Sequence, residues 1–384
     1  MRADVMTEIK ISLKNQDLFK LPFLRYVGAY AITKFFDYFK SLSFLLDSLE
    51  TKTLNDEIDK LSIDRPIYIT GLARAGTTII LEMLNKHPDL ATHQYKHLLI
   101  PYLPHWLNQI VKKTKIFTKS QERPHMDGMM ITRDSPEVVE EIFWQKFFNN
   151  VHSENVSNIM SRKVSNPDFE KFYRTHIRKL IINQKCSRFL TKNNYNITRL
   201  EYLLRIFPSS KFLVIIRNPV DQIASLIKQT RLFMNMVRKK PLLTEWLRMI
   251  GHHEFGYHQV CINVDNTELI LKIRKLWRNK KTFVKGWAYY WSSIYDFVAN
   301  QLDVNNKLKE ATLIVKYDDL CETPSRVIDK ILEHTELPKE KFTIIKKYYI
   351  KHLHKPSYYY PNFSNQEYAS ISKITKATAA RFGL

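Results

Sequence analysis

The stretch RPIYITGLARAGTTIILEMLNKHP at positions 65–88 constrains the chain more than any other. A short apolar run, IYIT, meets a turn bounded by Gly71 and Gly76, and an apolar-periodic segment then continues to Pro88. Strand, glycine-bounded loop and helix in this order present free backbone N–H groups at the positive end of a helix dipole, where a phosphate or sulfate is stabilised. Arg74 can add a charge-assisted contact, and Thr77 and Thr78 offer hydroxyl donors. The same layout without a ligand would be a tight strand-to-helix turn. The nucleoside-triphosphatase pattern G-x-x-x-x-G-K-[ST] requires lysine at the position held here by Thr77. The loop's cation, Arg74, lies inside the loop instead.

A second segment repeats the logic. KFLVIIR at 211–217 is a continuous apolar strand suited to burial on both faces of a parallel sheet. It delivers Arg217 at its carboxyl end, where α/β sheets place their ligands. Ser225 follows about two turns into the helix that begins at NPVD, so it can face the same anion.

Strands alternate with helices along the rest of the chain. SRFLTKNN at 187–194 and ATLIVKYDDL further on read as strands, and TRLEYLLRIFPSS and PSRVIDKILEHT read as helices. The class expected is α/β, a P-loop-like parallel sheet flanked by helices. A helical N-terminal region is expected over 1–64, with aromatic residues and lysines at helical spacing from about 17 to 62. That face either packs on the parent domain or makes peripheral membrane contact. The α/β domain would span 65–384 and include a basic insertion at about 228–282, helical at first and irregular over 241–282. RDSPEVVEEIFWQKFFNN starts with Ser135 as an N-cap and Pro136 at the first helical position. LLIPYLPHWLNQIVKKTKIF at 98–117 can roof a substrate cleft.

Composition narrows the class further. Sixty Lys plus Arg against 38 Asp plus Glu give a formal net charge of +22. That balance fits an anionic cofactor, a polyanion or an anionic membrane surface, or basic residues spread over solvated faces. Cys186, Cys261 and Cys321 are odd in number and widely spaced, with no C-x-x-C pair, so a reducing, cytoplasmic compartment is expected. The amino-terminal residues lack the apolar core of a secretion signal, and no window approaches a membrane span.

With GLARAGTT followed by RNPVDQIAS, the chain resembles sulfotransferases that use 3′-phosphoadenosine 5′-phosphosulfate. HPDLA, TKNNYNITRLEYLLRIFPSSKFLVIIRNP, LIVKYDDLCETPSRVIDKILEHTELP and ISKITKATAARFGL are similar to family segments in the same order. An arginine within the loop is the form of the tyrosylprotein and many bacterial members. The resemblance implies that Gly71, Arg74, Ala75, Gly76, Thr77 and Thr78 cradle the 5′-phosphosulfate, and that Arg217 and Ser225 grip the 3′-phosphate. A donor without a triphosphate chain explains the missing lysine.

The resemblance also implies chemistry. Sulfuryl transfer is an in-line displacement in which charge builds on the bridging oxygen of the leaving nucleotide. Arg74 and Lys192 are the candidate cations for that oxygen. Tyrosylprotein enzymes place a glutamate past the HPD turn, where this chain reads THQYKH. His93 and His97 lie near that position. ERPHMDGMMITRDSPEVVEE supplies His125, Asp127, Glu137, Glu140 and Glu141, of which Glu140 and His125 are the first candidates for the base. GHHEFGYHQ at 251–259 reads as acceptor-binding or plain loop in preference to a metal site, since the transfer needs no metal. The acceptor is a hydroxyl or, second, an amine on a small molecule, sugar or lipid, and no nucleic-acid partner is expected. Two other classes stand beside this reading: a nucleotide kinase or triphosphatase with a degenerate loop, and a non-catalytic protein binding anionic lipid or nucleic acid.

Overall fold

A computed structural model describes residues 23–112, 120–355 and 360–384. Positions 17–22 and 113–117 of the predicted segments lie outside the described residues. The chain opens with α1 (Phe23–Tyr38), α2 (Lys40–Lys52) and α3 (Asn55–Lys60), then enters the sheet at β1 (Ile67–Thr70) and turns into α4 (Thr77–Leu84). After β2 (Leu90–Ala91) come α5 (Pro104–Lys112), a small hairpin of β3 (Gln121–Glu122) and β4 (Met130–Ile131), α6 (Glu141–Phe147) and α7 (Pro167–Gln184). β5 (Arg188–Lys192), α8 (Leu200–Ile206), β6 (Lys211–Ile216) and α9 (Pro219–Lys239) follow. The remainder is α10 (Pro241–Met249), α11 (Thr267–Arg278), α12 (Phe283–Val304), α13 (Asn306–Glu310), β7 (Thr312–Lys316), α14 (Tyr317–Glu322), α15 (Pro324–His334), α16 (Thr343–His352) and α17 (Asn365–Arg381).

The main sheet has five parallel strands in the order β2-β5-β1-β6-β7. Register pairs Ile67 with Lys211 and Leu190, and Phe212 with Thr312. Alternate residues feed opposite layers: Tyr68, Phe212, Val214 and Ile216 join one core, and Ile67, Ile69, Leu213 and Ile215 the other. This is the two-sided burial that a continuous apolar strand predicts. From β1 the chain moves outward to β2 and β5, then crosses back to β6 on the other side of β1. The loops at the carboxyl ends of β1 and β6 therefore diverge around a crevice.

The N-terminal helices pack on the parent domain. Lys179 of α7 is wholly buried and bonds Asp47 at 2.8 Å and Glu50 at 2.9 Å, both on α2. Phe44 sets its ring edge-on against Tyr102, Phe147 and Phe172. α1 lies on α10, and Phe35 and Tyr38 of α1 and Phe39 just after it are exposed.

Two local expectations are corrected. The helix expected from Ser135 begins at Glu141. Backbone bonds hold the preceding residues as an extended strip against 93–96, with Tyr95 N donating to Ser135 O and Glu137 N to His93 O. That pairing outweighs the Ser-Pro start signal. The region 241–282, expected to be irregular, carries α10 and α11, whose apolar residues repeat at helical spacing between the basic ones.

Candidate active site

The loop after β1 is shaped by close approach. Gly71 has φ +151°, and a Cβ there would stand 2.4 Å from the Ile215 carbonyl oxygen of β6. Gly76 begins α4 with φ +100°, and a Cβ would stand 2.3 Å from the Tyr317 ring. These glycines let the loop fold back between β6 and α14. Gly71 and Ala75 consequently stand behind the cavity wall, with Ala75 N bonded to Leu72 O, while Arg74, Gly76, Thr77 and Thr78 line it.

That wall belongs to a cavity of about 970 Å³ at the carboxyl ends of β1, β5, β6 and β7. Arg74 Nε donates to Ser225 Oγ at 3.1 Å, and its Nη1 meets Asp127 Oδ2 at 3.1 Å. Arg217 lies over the Tyr317 ring, 5.0 Å from its centroid, and its buried Nε has no hydrogen-bond partner among the described residues. An unbonded buried guanidinium N–H is costly unless an acceptor reaches it. Asn194 contacts Thr77 Oγ1 at 3.4 Å and donates to Glu254 at 2.9 Å, tying the turn after β5 to the loop after β1. Lys192, the last residue of β5, and Lys228 of α9 also line the cavity. Burial lowers the Lys192 pKa, and Glu254 and Glu137 oppose that shift.

The acids and histidines divide sharply. Glu140 is corrected as a base candidate: it is fully buried off the cavity, accepting from Tyr173 Oη and Asn196 Nδ2, each at 2.8 Å. Its position before α6 turns it inward because the extended strip ends there. His93 and His97 are likewise buried off the wall. His93 pairs with His176 at 2.9 Å, and His97 Nδ1 accepts from Gln94 N. Burial pushes the pKa of both histidines down.

Glu141 reaches the wall, but its oxygens accept from Arg199 at 2.7 and 2.8 Å and from Asn193 at 2.6 Å. Asp127 is clamped by Arg123 and Arg74. Burial alone would raise its pKa, yet Arg123 and Arg74 hold it far below the usual carboxylate range. It organises the two guanidiniums and stays ionised. Glu137 lines the cavity and accepts from the Val138 backbone N–H.

His125 does line the cavity, with Nδ1 3.2 Å from Gln229 Oε1. Burial and then the charges of Arg123 and Arg74 lower its pKa strongly, so the ring stays neutral. Its neighbour His252, 5.8 Å away between ring centroids, has Nδ1 3.5 Å from Glu254 Oε2. Burial raises the Glu254 pKa, but His252 and Lys192 outweigh it and the net shift is downward. An ionised carboxylate behind an imidazole is the arrangement that stabilises the ring after it takes a proton. Sequence reasoning singled out GHHEFGYHQ as a cluster and left the partners within it undefined. The alternation offered one signal: His252 and Glu254 face the cavity while His253 turns away to Gln145.

A parallel α/β sheet with a glycine-turned loop, a helix start and convergent cations at its carboxyl edge places the chain in the P-loop-like α/β class. A family model described as the sulfotransferase family matches residues 66–266. The chain belongs to the sulfotransferase family. Among solved structures, sulfotransferase STF9 from Mycobacterium avium is 14% identical with a TM-score of 0.51, covering 87% of this chain and 81% of its own. It shares the fold. Sulfotransferase STF1 from Mycobacterium tuberculosis H37Rv is 15% identical, with a TM-score of 0.44, covering 88% and 82%. A search of curated protein sequences finds no match.

Proposed function

We propose that this sulfotransferase moves the sulfuryl group of 3′-phosphoadenosine 5′-phosphosulfate to an acceptor hydroxyl by in-line displacement. The observation that carries the reading is the convergence of Arg74 and Arg217, from the loops after β1 and β6, on one cavity beside the start of α4. Backbone N–H groups at Gly76 and Thr77, the threonine hydroxyls and Arg74 hold the 5′-phosphosulfate. Arg217, whose Nε has no partner among the described residues, and Ser225 hold the 3′-phosphate. On donor binding, Arg74 exchanges its Ser225 contact for an anionic oxygen.

The bond between sulfur and the bridging oxygen breaks as the acceptor oxygen attacks. The departing 3′-phosphoadenosine 5′-phosphate gathers charge there, which Arg74 and Lys192 stabilise. The acceptor's proton goes to His252, whose imidazolium faces ionised Glu254. His125 beside it stays neutral and lends a hydrogen bond. The test is calorimetric titration with 3′-phosphoadenosine 5′-phosphate, adenosine 5′-phosphate and ATP, each with and without magnesium. Binding that depends on the 3′-phosphate supports the reading, and preference for ATP with magnesium sinks it.

A further inference from the structure

Beyond the cations, the lining of the same cavity changes in kind along α9 and α10, its apolar arm. Phe233 and Met236 of α9 meet Leu243, Trp246 and Leu247 of α10 and Ile250 just after it, and all six line the cavity. Leu243 and Leu247 stand one helical turn apart, so a single face of α10 is turned inward. The charged residues of α10 are turned the other way: Glu245 and Arg248 pair with each other at 2.6 Å on its half-exposed side. Trp246 is the one arm residue here with a side-chain N–H, and it donates to Thr33 of α1. The arm begins at the histidines, since the Phe233 ring stacks on His252 at 5.0 Å and lies 5.1 Å from His125.

This geometry sets what can lie there. A sugar or peptide body in the arm would bury hydroxyls or amides against Leu, Met and Phe side chains that offer no hydrogen bond, and each unsatisfied group carries a penalty. A hydrocarbon body meets no such penalty. Its affinity grows with every methylene removed from water. A cavity near the top of the usual 300–1,000 Å³ range has room for a nucleotide at one end and such a body at the other.

We infer that the acceptor is an amphiphilic alcohol, with its hydroxyl at the His125–His252 junction and an apolar alkyl or aryl body along α9 and α10. The inference rests on the sulfotransferase reading for what happens at that hydroxyl, and on the arm alone for what is bound. During transfer the alcohol O–H proton passes to His252, the alcohol oxygen bonds to sulfur, and the nucleotide leaves with the electron pair of the broken S–O bond.

The test uses the full chain and a series of primary alcohols from butanol to decanol, with glucose and a serine-containing peptide as polar competitors. Binding of each is measured calorimetrically, and 3′-phosphoadenosine 5′-phosphate is titrated separately. The expected result is tighter alcohol binding by about fourfold per added methylene (~0.8 kcal/mol each) until the arm is full. Leu247→Trp, which fills the arm, should bring the plateau at a shorter chain and leave nucleotide binding unchanged. Flat dependence on chain length, or tighter binding of glucose or peptide, overturns the inference while intact nucleotide binding leaves the donor site standing. Chain-length dependence without nucleotide binding overturns the acceptor role and the sulfotransfer reading together, leaving the arm a hydrophobic binding site.

Discussion

Arg74 Nε donates to Ser225 Oγ across 3.1 Å, joining residues 151 positions apart in the chain. The loop after β1 and the helix after β6 meet at this bond, on either side of the crevice where the strand order reverses. Arg74 contacts Ser225 through Nε and Asp127 through Nη1 at the same time, each at 3.1 Å.

Arg217 holds its guanidinium over the Tyr317 ring, with Nε buried and unbonded among the described residues. A charge-assisted hydrogen bond to a 3′-phosphate contributes about 1.5–3 kcal/mol. Arg217→Ala should therefore raise the donor KM on the order of tenfold to a hundredfold. It should also narrow the preference for 3′-phosphoadenosine 5′-phosphate over adenosine 5′-phosphate. Equal donor kinetics in variant and parent would remove Arg217 from the donor site.

Gly76 tests the loop's backbone. Its φ of +100° and the 2.3 Å approach of a Cβ to the Tyr317 ring act together. Gly76→Ala should displace Tyr317 and, through it, Arg217. Strain of about 1–3 kcal/mol is expected for such a backbone, seen as a Tm lowered by several degrees. Nucleotide affinity should fall as well. Gly128→Ala is the control, since a Cβ there meets nothing within 4 Å although φ is also positive. It should lower Tm without changing nucleotide affinity.

Much of this was legible in the sequence because it is local. IYIT, KFLVII and the Asn-Pro start of α9 each fix an element within a few residues, and Asn218 caps α9 by accepting from Val220 N at 2.9 Å. Arg74 and Arg217 follow because a strand end has a defined place in a parallel sheet. What failed was orientation set by distant contacts. Ser135-Pro136 carries a sound helix-start signal, yet pairing with 93–96 holds that strip extended. One residue of displacement then separates Glu141, on the cavity wall, from Glu140, in the core. His252 and Glu254 meet the cavity because α9 and α10 bring their loop back over it. No short-range pattern encodes that return.

His252 and Glu254 act as a pair in the proposed transfer. Removing a general base costs about 10²–10⁴ in rate. His252→Ala should lower kcat within that range and leave the affinity for 3′-phosphoadenosine 5′-phosphate unchanged. Glu254→Gln should lower kcat less, since the ring remains while its counter-charge goes. His125→Gln keeps a polar contact and should be the mildest of the three. If His125→Gln were the most damaging in single-turnover assays, the base would be His125.

Glu140 and Glu141 make opposite predictions for pH. Glu141 is drawn well below its ordinary value of 4.5: burial raises it, but Arg199 and then His152 outweigh burial. A depressed carboxylate pKa gives stability that is full above the unfolded value and lost as pH falls through the folded one. Glu141→Gln leaves Arg199 buried without a counter-charge, so it should cost about 3–5 kcal/mol at neutral pH. The gap to the parent should shrink as pH drops below about 4. Glu140 is shifted the other way, raised mainly by burial. Its favourable contribution is present below the ordinary value and is lost as pH rises through the raised one. Glu140→Gln supplies a neutral acceptor for Tyr173 and Asn196, so it should not lower stability at neutral pH, and kcat should be unchanged. Urea unfolding of both variants at about pH 7 and about pH 3 separates the two cases. A large loss of rate in Glu140→Gln with stability intact would return Glu140 to the catalytic centre.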